Sequence, residues 1–293
     1  MKRFFPSIFV MTTLLIAPGC LSNTKSPKSE VSPSMMMNHD GNSMNEHEGH
    51  SMENKHHTNN SQITTKVKLT APPKLATNQP INLVIDIQDS SGKPVNKFEI
   101  FQEKLMHLIV VSDDLRFFDH IHPEYKEKGR FEVTANFPES GNYTLFSDYK
   151  PTGNKEIVSL MNITIPGTVP LPKNLEKFTK TKIISDTKVN LNISTPKIKA
   201  GQEIKLTFDL KDQKNQPIKD LQPYLGKKGH LVIIKSSSPL TASDYIHAHA
   251  LENSIDGKIE FHTKLPKQGT YKMWVQFNRN GQVKTADFWV NVE

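Results

Sequence analysis

The chain has 293 residues and a formal net charge of +7, and this length suits two ordinary domains. Its basic residues are scattered, without a basic stripe that carries interleaved aromatic residues, so nucleic acid is not an expected partner. Its single cysteine excludes an intramolecular disulfide, a cysteine-rich zinc site and an iron–sulfur cluster.

Residues 1–19 have the pattern of a lipoprotein signal peptide. A basic start, Lys2-Arg3, precedes a mostly apolar stretch, 4–16, that is too short to span a bilayer comfortably. The next four residues, APGC, resemble the lipobox of bacterial lipoproteins, although alanine and proline are not the usual residues at its first two positions. The resemblance implies that Cys20 carries lipid and anchors an extracytoplasmic chain to the lipid bilayer of the cell envelope. The alternative is an ordinary secretory signal with an unrelated cysteine.

Residues 20–62 are predicted to form a disordered tether, because Ser, Asn, Lys and Pro dominate its first part. Residues 35–57 concentrate methionine and histidine without helical or strand periodicity. Thioether sulfur is a soft ligand for Cu(I) and Ag(I), whereas imidazole suits Cu(II), Zn and Ni. The tract is similar to the Met/His-rich tracts of bacterial envelope proteins that handle copper and silver; the alternative is compositional drift in a linker. Its candidate ligands are Met35, Met36, Met37, His39, Met44, His47, His50, Met52, His56 and His57.

Residues 63–166 are predicted to form a β-sandwich, followed by a proline-containing linker, 167–182. Apolar residues alternate along 81–87, and turn signals separate short strands at regular spacing without a helical pattern. Tyr143 and, in the second half, Tyr271 follow a glycine by two residues, which resembles the tyrosine corner of immunoglobulin-like folds. The predicted strands lie at about 64–70, 80–88, 105–111, 117–122, 130–137, 142–149 and 157–165.

The pattern then repeats in residues 183–293. Residues 79–95 match 202–218 at a constant offset of 123, and residues 131–149 match 259–277 at an offset of 128. The extra residues fall in loops, as a structural repeat requires. The expected fold class is therefore all-β, with two tandem immunoglobulin-like β-sandwich domains after a disordered N-terminal tether.

Two histidine triplets stand at matching places in the two repeats. In the first repeat, a turn centred on Asp113-Asp114 would place His107 opposite His120 on neighbouring strands, with His122 on the same face. Three imidazoles on one face form the simplest metal site that a hairpin offers, so each triplet is predicted to bind one divalent ion, Cu(II) before Zn. The alternative is that the histidines brace the hairpin through hydrogen bonds. The candidate ligands are His107, His120, His122, His230, His247 and His249.

Met106 is a further candidate ligand because it adjoins His107. Strand alternation aims Met106 at the opposite face, however, so its thioether would reach the ion only through a bulge. The second repeat has Gly229 at the equivalent position and lacks this ligand.

The run MHLIVVSDDLRFFDHIHPEY at 106–125, followed by FPESGNYTLFSDY at 137–149, resembles the extracytoplasmic immunoglobulin-like modules grouped as YtkA-like or FixH-like. The likeness covers both repeats. Such modules are often found beside metal-transport and metal-resistance proteins, which implies an envelope metal-transport protein as a partner. A looser likeness exists to copper-resistance β-sandwiches that hold Cu(II) through histidines.

Two classes of function follow from these patterns. The first is an envelope lipoprotein that sequesters or delivers copper, or else silver or zinc. The second is a protein-interaction module in which the histidines are structural. An enzyme is not expected, because no carboxylate recurs beside both triplets and no nucleophile, phosphate-loop or dinucleotide motif is present. Blue-copper electron transfer is excluded because neither repeat contains a cysteine.

Overall fold

The computed structural model of the protein describes residues 63–170, 178–252 and 255–293. All of them lie within one compact unit, Thr58–Glu293. The predicted signal peptide, Cys20, the Met/His-rich tract and the middle of the predicted linker lie outside these ranges. Within these ranges no helix has the length and apolar character that crossing a membrane requires.

The first repeat folds into a β-sandwich. Its strands are β1 (Thr65–Thr70), β2 (Pro80–Asp89), β3 (Met106–Ser112), β4 (Phe118–Ile121), β5 (Glu124–Tyr125), β6 (Arg130–Asn136), β7 (Gly141–Tyr149) and β8 (Ile157–Ile165). They form two antiparallel sheets, which we name the first back sheet, β1-β2-β6-β5, and the first front sheet, β4-β3-β7-β8. On β2, Ile81, Leu83, Ile85 and Ile87 are all buried, because alternate side chains of a strand share one face. The predicted strands are confirmed, with ends that differ by at most one residue.

The second repeat has the same architecture. Its strands are β9 (Thr181–Ile184), β10 (Thr187–Ile193), β11 (Glu203–Lys211), β12 (Leu221–Gln222), β13 (His230–Lys235), β14 (Tyr245–His249), β15 (Lys258–Lys264), β16 (Gly269–Arg279) and β17 (Gln282–Val292). The second back sheet has the order β15-β11-β10-β9. The second front sheet has the order β12-β16-β13-β14, with β17 also paired to β16. The predicted fold class, two tandem immunoglobulin-like sandwiches, is confirmed.

Both predicted tyrosine corners are present. The Tyr143 hydroxyl donates to the carbonyl oxygen of Glu139 at 2.7 Å, and the Tyr271 hydroxyl donates to that of Lys267 at 2.7 Å. Each phenol therefore ties the start of a front-sheet strand to the loop before it, in the way that immunoglobulin-like folds use this feature.

The two front sheets pack face to face, an arrangement that the sequence analysis does not predict. Their outward faces bury an apolar layer that is separate from the cores of the two sandwiches. Phe118 stacks on Trp274 with ring centroids 4.7 Å apart, and Phe146 stacks on Tyr245 at 5.2 Å. The buried members of this layer are Ile109, Val111, Leu115, Phe146, Val232, Ile234, Leu240, Tyr245, Trp274 and Trp289.

The contacts between the front sheets follow an approximate twofold symmetry. By the repeat alignment, Phe118 corresponds to Tyr245 and Phe146 corresponds to Trp274, so the two stacked pairs are equivalent. In an interface with a twofold axis, a contact between residues i and j recurs as a contact between j and i. The two repeats therefore pack against each other as the two subunits of a symmetric dimer would.

Candidate metal centre

Both histidine triplets lie on the front sheets, beside the apolar layer. In the first repeat, β3 pairs with β4 so that Ile109 lies opposite His120, which brings His107 level with His122. The predicted pairing of His107 with His120 is wrong by two residues, because the turn extends to Leu115. That residue has a left-handed φ of 56° and buries its side chain in the apolar layer. A shift of two residues keeps every side chain on its predicted face.

The two triplets meet in one cluster instead of forming two separate patches. The rings of His107 and His230 stack with centroids 5.6 Å apart, and those of His120 and His230 are 4.8 Å apart. Candidate ligand atoms of His107, His120 and His230 all lie within 4.8 Å of one another, so the tightest potential ligand set draws on both repeats. We call the whole set the histidine cluster: His107, His120, His122, His230, His247 and His249.

The centre of the histidine cluster is shielded from water. His107, His120 and His230 are 0%, 8% and 3% exposed. Burial, reinforced by the charge of His247, lowers the pKa of His107 to about 3. Burial also holds the pKa of His120 and that of His230 well below the ordinary value. Because these imidazoles stay neutral at physiological pH, each keeps a lone pair for a metal ion.

The outer members of the cluster are more accessible. His122 is partly buried, and burial lowers its pKa to about 4, while its Nε2 has no hydrogen-bond partner. His249 is exposed, and burial of part of its ring, followed by the charge of His247, lowers its pKa. These two residues flank the buried centre and complete the two sequence-predicted triplets.

Two central histidines have their protons fixed by outer partners. His107 Nε2 donates to the carbonyl oxygen of Phe101 at 3.2 Å, and His120 Nδ1 donates to Gln276 Oε1 at 2.7 Å. Gln276 presents its oxygen to the ring, since its amide nitrogen donates to Thr285 Oγ1 at 3.4 Å. A carbonyl or amide oxygen can only accept, so these ring nitrogens carry the protons. Partners of this kind orient metal-binding histidines.

The consequence is an unfavourable contact at the centre of the cluster. His107 Nδ1 and His120 Nε2 are then both without a proton, and they face each other at 3.0 Å. Two lone pairs at this distance repel unless a proton or a metal ion lies between them. A shared proton would need a buried imidazolium, which burial disfavours. A metal ion that accepts both lone pairs relieves the contact and leaves both rings neutral.

The other half of the cluster is built around His247. Its Nδ1 donates to Asp148 Oδ2 at 2.9 Å, and its Nε2 lies 2.6 Å from His230 Nε2. Gln102 reaches in from a tight turn of the first repeat, where its Oε1 accepts from His230 Nε2 and its amide nitrogen donates to His249 Nδ1 at 2.5 Å. His230 Nδ1 and Asp148 Oδ1 are buried without a hydrogen-bond partner. Such atoms require an explanation, and a bound cation or water supplies one.

Three strands, β3, β4 and β13, therefore bring the imidazoles of His107, His120 and His230 together, with candidate ligand atoms within 4.8 Å of one another. Zn–N bonds of about 2.0–2.1 Å in a tetrahedron place neighbouring nitrogens roughly 3.3 Å apart. His107 Nδ1 and His120 Nε2 stand at 3.0 Å, close to that spacing. The residues thus fit a Zn or Cu(II) ion with three imidazole ligands, His107, His120 and His230, and His247 contacts the third of these rings.

The two repeats also match one protein family. A family profile described as Domain of unknown function (DUF8832) matches residues 60–165 and again residues 182–293, more than half of the chain. The chain belongs to the DUF8832 family. A comparison with curated proteins gives no match.

Solved structures resemble the DUF8832 repeats at low identity and low TM-score. The Escherichia coli adhesin FdeC is 13% identical, with a TM-score of 0.25 over 79% of this chain and 65% of the adhesin. Invasin, a bacterial integrin-binding protein, is 11% identical, with a TM-score of 0.23 over 76% of this chain and 39% of invasin. A two-domain fibronectin type-III segment of chicken tenascin is 11% identical, with a TM-score of 0.22 over 76% of this chain and 97% of the tenascin segment. The chain spans less than two thirds of the length of FdeC. Similarities this weak do not indicate the function of the chain.

Within the first DUF8832 repeat, Met106 is separated from the histidine cluster. It is 0% exposed and belongs to the core of the first sandwich, on the face of β3 opposite His107. β3 has no bulge that would turn the Met106 thioether toward the histidines, so Met106 is not a ligand of this centre.

Sequence reasoning missed two residues that touch the histidines, Gln102 and Gln276, and it considered Asp148 only as a base for catalysis, set aside because Gln276 replaces it in the second repeat. Asp148 and Gln276 pair in register with His107 and His230, respectively. The only available signal was a polar residue on the outward face of each front-sheet strand next to apolar positions. That signal had no interpretation before the packing of the two repeats was known.

Proposed function

We propose that this protein is an extracytoplasmic lipoprotein that binds one divalent metal ion, Cu(II) before Zn, between its two repeats. The observation that carries the proposal is the contact between His107 Nδ1 and His120 Nε2, two buried nitrogens without protons at 3.0 Å. The neutrality of the buried imidazoles supports it, since a metal ligand must be unprotonated. One shared centre replaces the two separate hairpin sites of the sequence-based hypothesis.

The N-terminal Met/His-rich tract suggests which physiological role metal binding would serve. Its methionines and histidines suit Cu(I) or Ag(I), and the resemblance to YtkA-like and FixH-like modules implies an envelope metal-transport protein as a partner. The protein would then sequester copper or deliver it in envelope metal homeostasis or resistance. The tract would hold several ions without a fixed arrangement of ligands, and the buried centre would hold one ion with a defined arrangement.

The second candidate function is a protein-interaction module with structural histidines. It is favoured by the bonds from His120 to Gln276 and from His247 to Asp148, which join the repeats without any ion. The two candidates differ in whether the folded part alone binds metal.

A metal titration of residues 58–293 separates the two candidates, because this chain keeps the compact unit and lacks the Met/His-rich tract. We expect one Cu(II) or Zn ion per chain by calorimetry. The double variant His120→Ala/His122→Ala should lower affinity at least about 100-fold, because it removes a ligand of the centre. The double variant His247→Ala/His249→Ala should lower it about 10–100-fold, because it removes the contact of His247 with the ligand His230.

The matched control is His262→Ala, which removes the one described histidine outside the cluster and should leave binding unchanged. Two ions per chain, falling to one in each double variant, would restore separate hairpin sites. Absence of binding at micromolar metal would establish the interaction-module reading. A chain that keeps residues 35–57 should bind additional Cu(I) or Ag(I).

Membrane attachment is tested separately at Cys20. We propose that this cysteine carries the lipid, because it is the only cysteine and directly follows the apolar stretch of the signal peptide. The variant Cys20→Ser should move the protein from the membrane fraction to the soluble extracytoplasmic fraction, as judged by fractionation. Retention of the variant in the membrane fraction would contradict lipid anchoring.

A further inference from the structure

The approximate twofold symmetry of the front sheets breaks at one buried pair of positions. His120 donates to Gln276 at 2.7 Å, and the equivalent His247 donates to Asp148 at 2.9 Å. The two acceptors occupy equivalent places on β7 and β16. One is a neutral amide and the other is a carboxylate, so the two halves of the centre differ by one negative charge.

The surroundings of Asp148 make that charge unusual. Asp148 is 1% exposed, and the hydroxyl of Tyr245 donates to its Oδ2 at 3.3 Å beside the bond from His247. Its Oδ1 is buried without a hydrogen-bond partner. Among the described residues, His247 is the only basic side chain within ion-pair distance of Asp148. A buried carboxylate is costly unless a cation or several donors compensate it, and here the protein supplies too few donors.

We propose that Asp148 makes the metal centre selective for divalent ions, an inference that rests on the proposed function. The charge of Asp148 interacts twice as strongly with a dication as with a monocation at the same distance. A carboxylate oxygen is also a harder ligand than a thioether, so it adds nothing specific for soft Cu(I) or Ag(I). Asp148 therefore favours Cu(II) and Zn(II) in the folded centre.

This assignment separates the chain into two metal sites of different chemistry. The Met/His-rich tract has soft ligands for Cu(I) and Ag(I), whereas the buried centre has three imidazoles, with the carboxylate of Asp148 nearby through His247. Duplication of a symmetric repeat would give a centre without this preference. The difference between Asp148 and Gln276 supplies it at a single position.

The test measures affinities of residues 58–293 for Zn(II) and Ag(I) by chelator competition. Asp148→Asn keeps an oxygen that accepts from His247 and removes the charge. We expect the affinity for Zn(II) to fall about 10–100-fold, the usual range for outer partners of a metal site, and the affinity for Ag(I) to fall by no more than the square root of that factor. The matched control is Asp209→Asn, which removes a carboxylate of the second back sheet and should change neither affinity.

A second variant tests the same charge from the symmetry-related position. Gln276→Glu should raise the affinity for Zn(II) more than that for Ag(I), and it should restore Zn(II) binding when combined with Asp148→Asn. An equal loss for both ions in Asp148→Asn, or no loss, would overturn the selectivity role while leaving the centre intact. If Asp148→Asn fails to fold, Gln276→Glu without a preference for Zn(II) overturns it instead. Absence of Zn(II) binding in the unsubstituted chain would overturn the proposed function itself.

Discussion

Replacing Trp274 with alanine is expected to destabilise residues 58–293 by about 3–5 kcal/mol, the usual cost of removing a large buried aromatic side chain. Trp274 is 3% exposed and stacks on Phe118 of the other repeat, and the ammonium of Lys272 lies 5.4 Å from its ring. It belongs to the layer between the front sheets and not to either sandwich core. The variant should therefore loosen the packing between repeats while each sandwich remains folded.

Two measurements separate this outcome from general unfolding. The free energy of unfolding, from urea titration, should fall, while the tyrosine-corner regions keep their protection from hydrogen exchange. The affinity for Zn(II) should fall at least tenfold, because the centre takes its ligands from both repeats. The matched control Val283→Ala, at a residue that is 45% exposed on β17, should change stability by less than about 0.5 kcal/mol. A destabilised Trp274→Ala chain that still binds Zn(II) with unchanged affinity would show that the centre does not depend on the packing between repeats.

The back-sheet strand β2 was predictable because one face of it is buried and the other is largely open. Ile81, Leu83, Ile85 and Ile87 recur at every second position along β2 and are buried, and this period fixes both the strand and its buried face. The repeat then transfers each assignment to the second half. The local sequence pattern was sufficient to predict a strand and its buried face wherever that face packs against the other sheet of the same sandwich.

The packing between repeats was not predictable from the same pattern. On β3, the side chains of Met106, Leu108 and Val110 face the sandwich core, whereas those of His107 and Ile109 face the other repeat, and all five are buried. A continuous apolar run indicates a strand that is covered on both faces. The run does not say which surface covers it, because that depends on how two distant sheets meet.

The candidate site shows the same division. The histidines were found from their types, spacing and repetition, and their common face survived the error in register because that error was two residues. Their merger into one centre depends on the packing of the front sheets. Asp148 and Gln276 acquire a role only in that packed arrangement, since each accepts from a histidine of the other repeat.

The histidine cluster should also make the folded chain sensitive to mild acid. In the unfolded chain a histidine has a pKa of about 6.5. In the folded chain, burial lowers the pKa of His107 to about 3 and that of His122 to about 4, and it holds those of His120 and His230 well below the ordinary value. Between pH 6.5 and about 4, the unfolded chain therefore binds protons that the folded chain does not.

The sign of the effect follows from this difference in bound protons. The free energy of unfolding rises with pH wherever the unfolded state binds more protons, so stability is complete above pH 6.5 and is lost as pH falls. Each buried histidine contributes a loss of up to about 1.4 kcal/mol per pH unit in this window. Lowering the pH from 7 to 4.5 should therefore reduce the stability of residues 58–293 by at least about 3 kcal/mol, as measured by urea unfolding without metal.

The variant His107→Gln identifies the source of this loss. Glutamine does not titrate, so the slope of stability against pH between 6.5 and 4.5 should flatten by about one proton. His262→Gln is the matched control, because the His262 side chain is half exposed on β15, away from the cluster, and its slope should match that of the unsubstituted chain.

Saturating Zn(II) should add stability at pH 7, and this gain should disappear over the same window because the ligands must be neutral to bind. The same slope in the unsubstituted chain, His107→Gln and His262→Gln would mean that the folded cluster accepts protons as readily as the unfolded chain does. The metal centre would then lose its neutral imidazoles at mildly acidic pH in the folded protein itself.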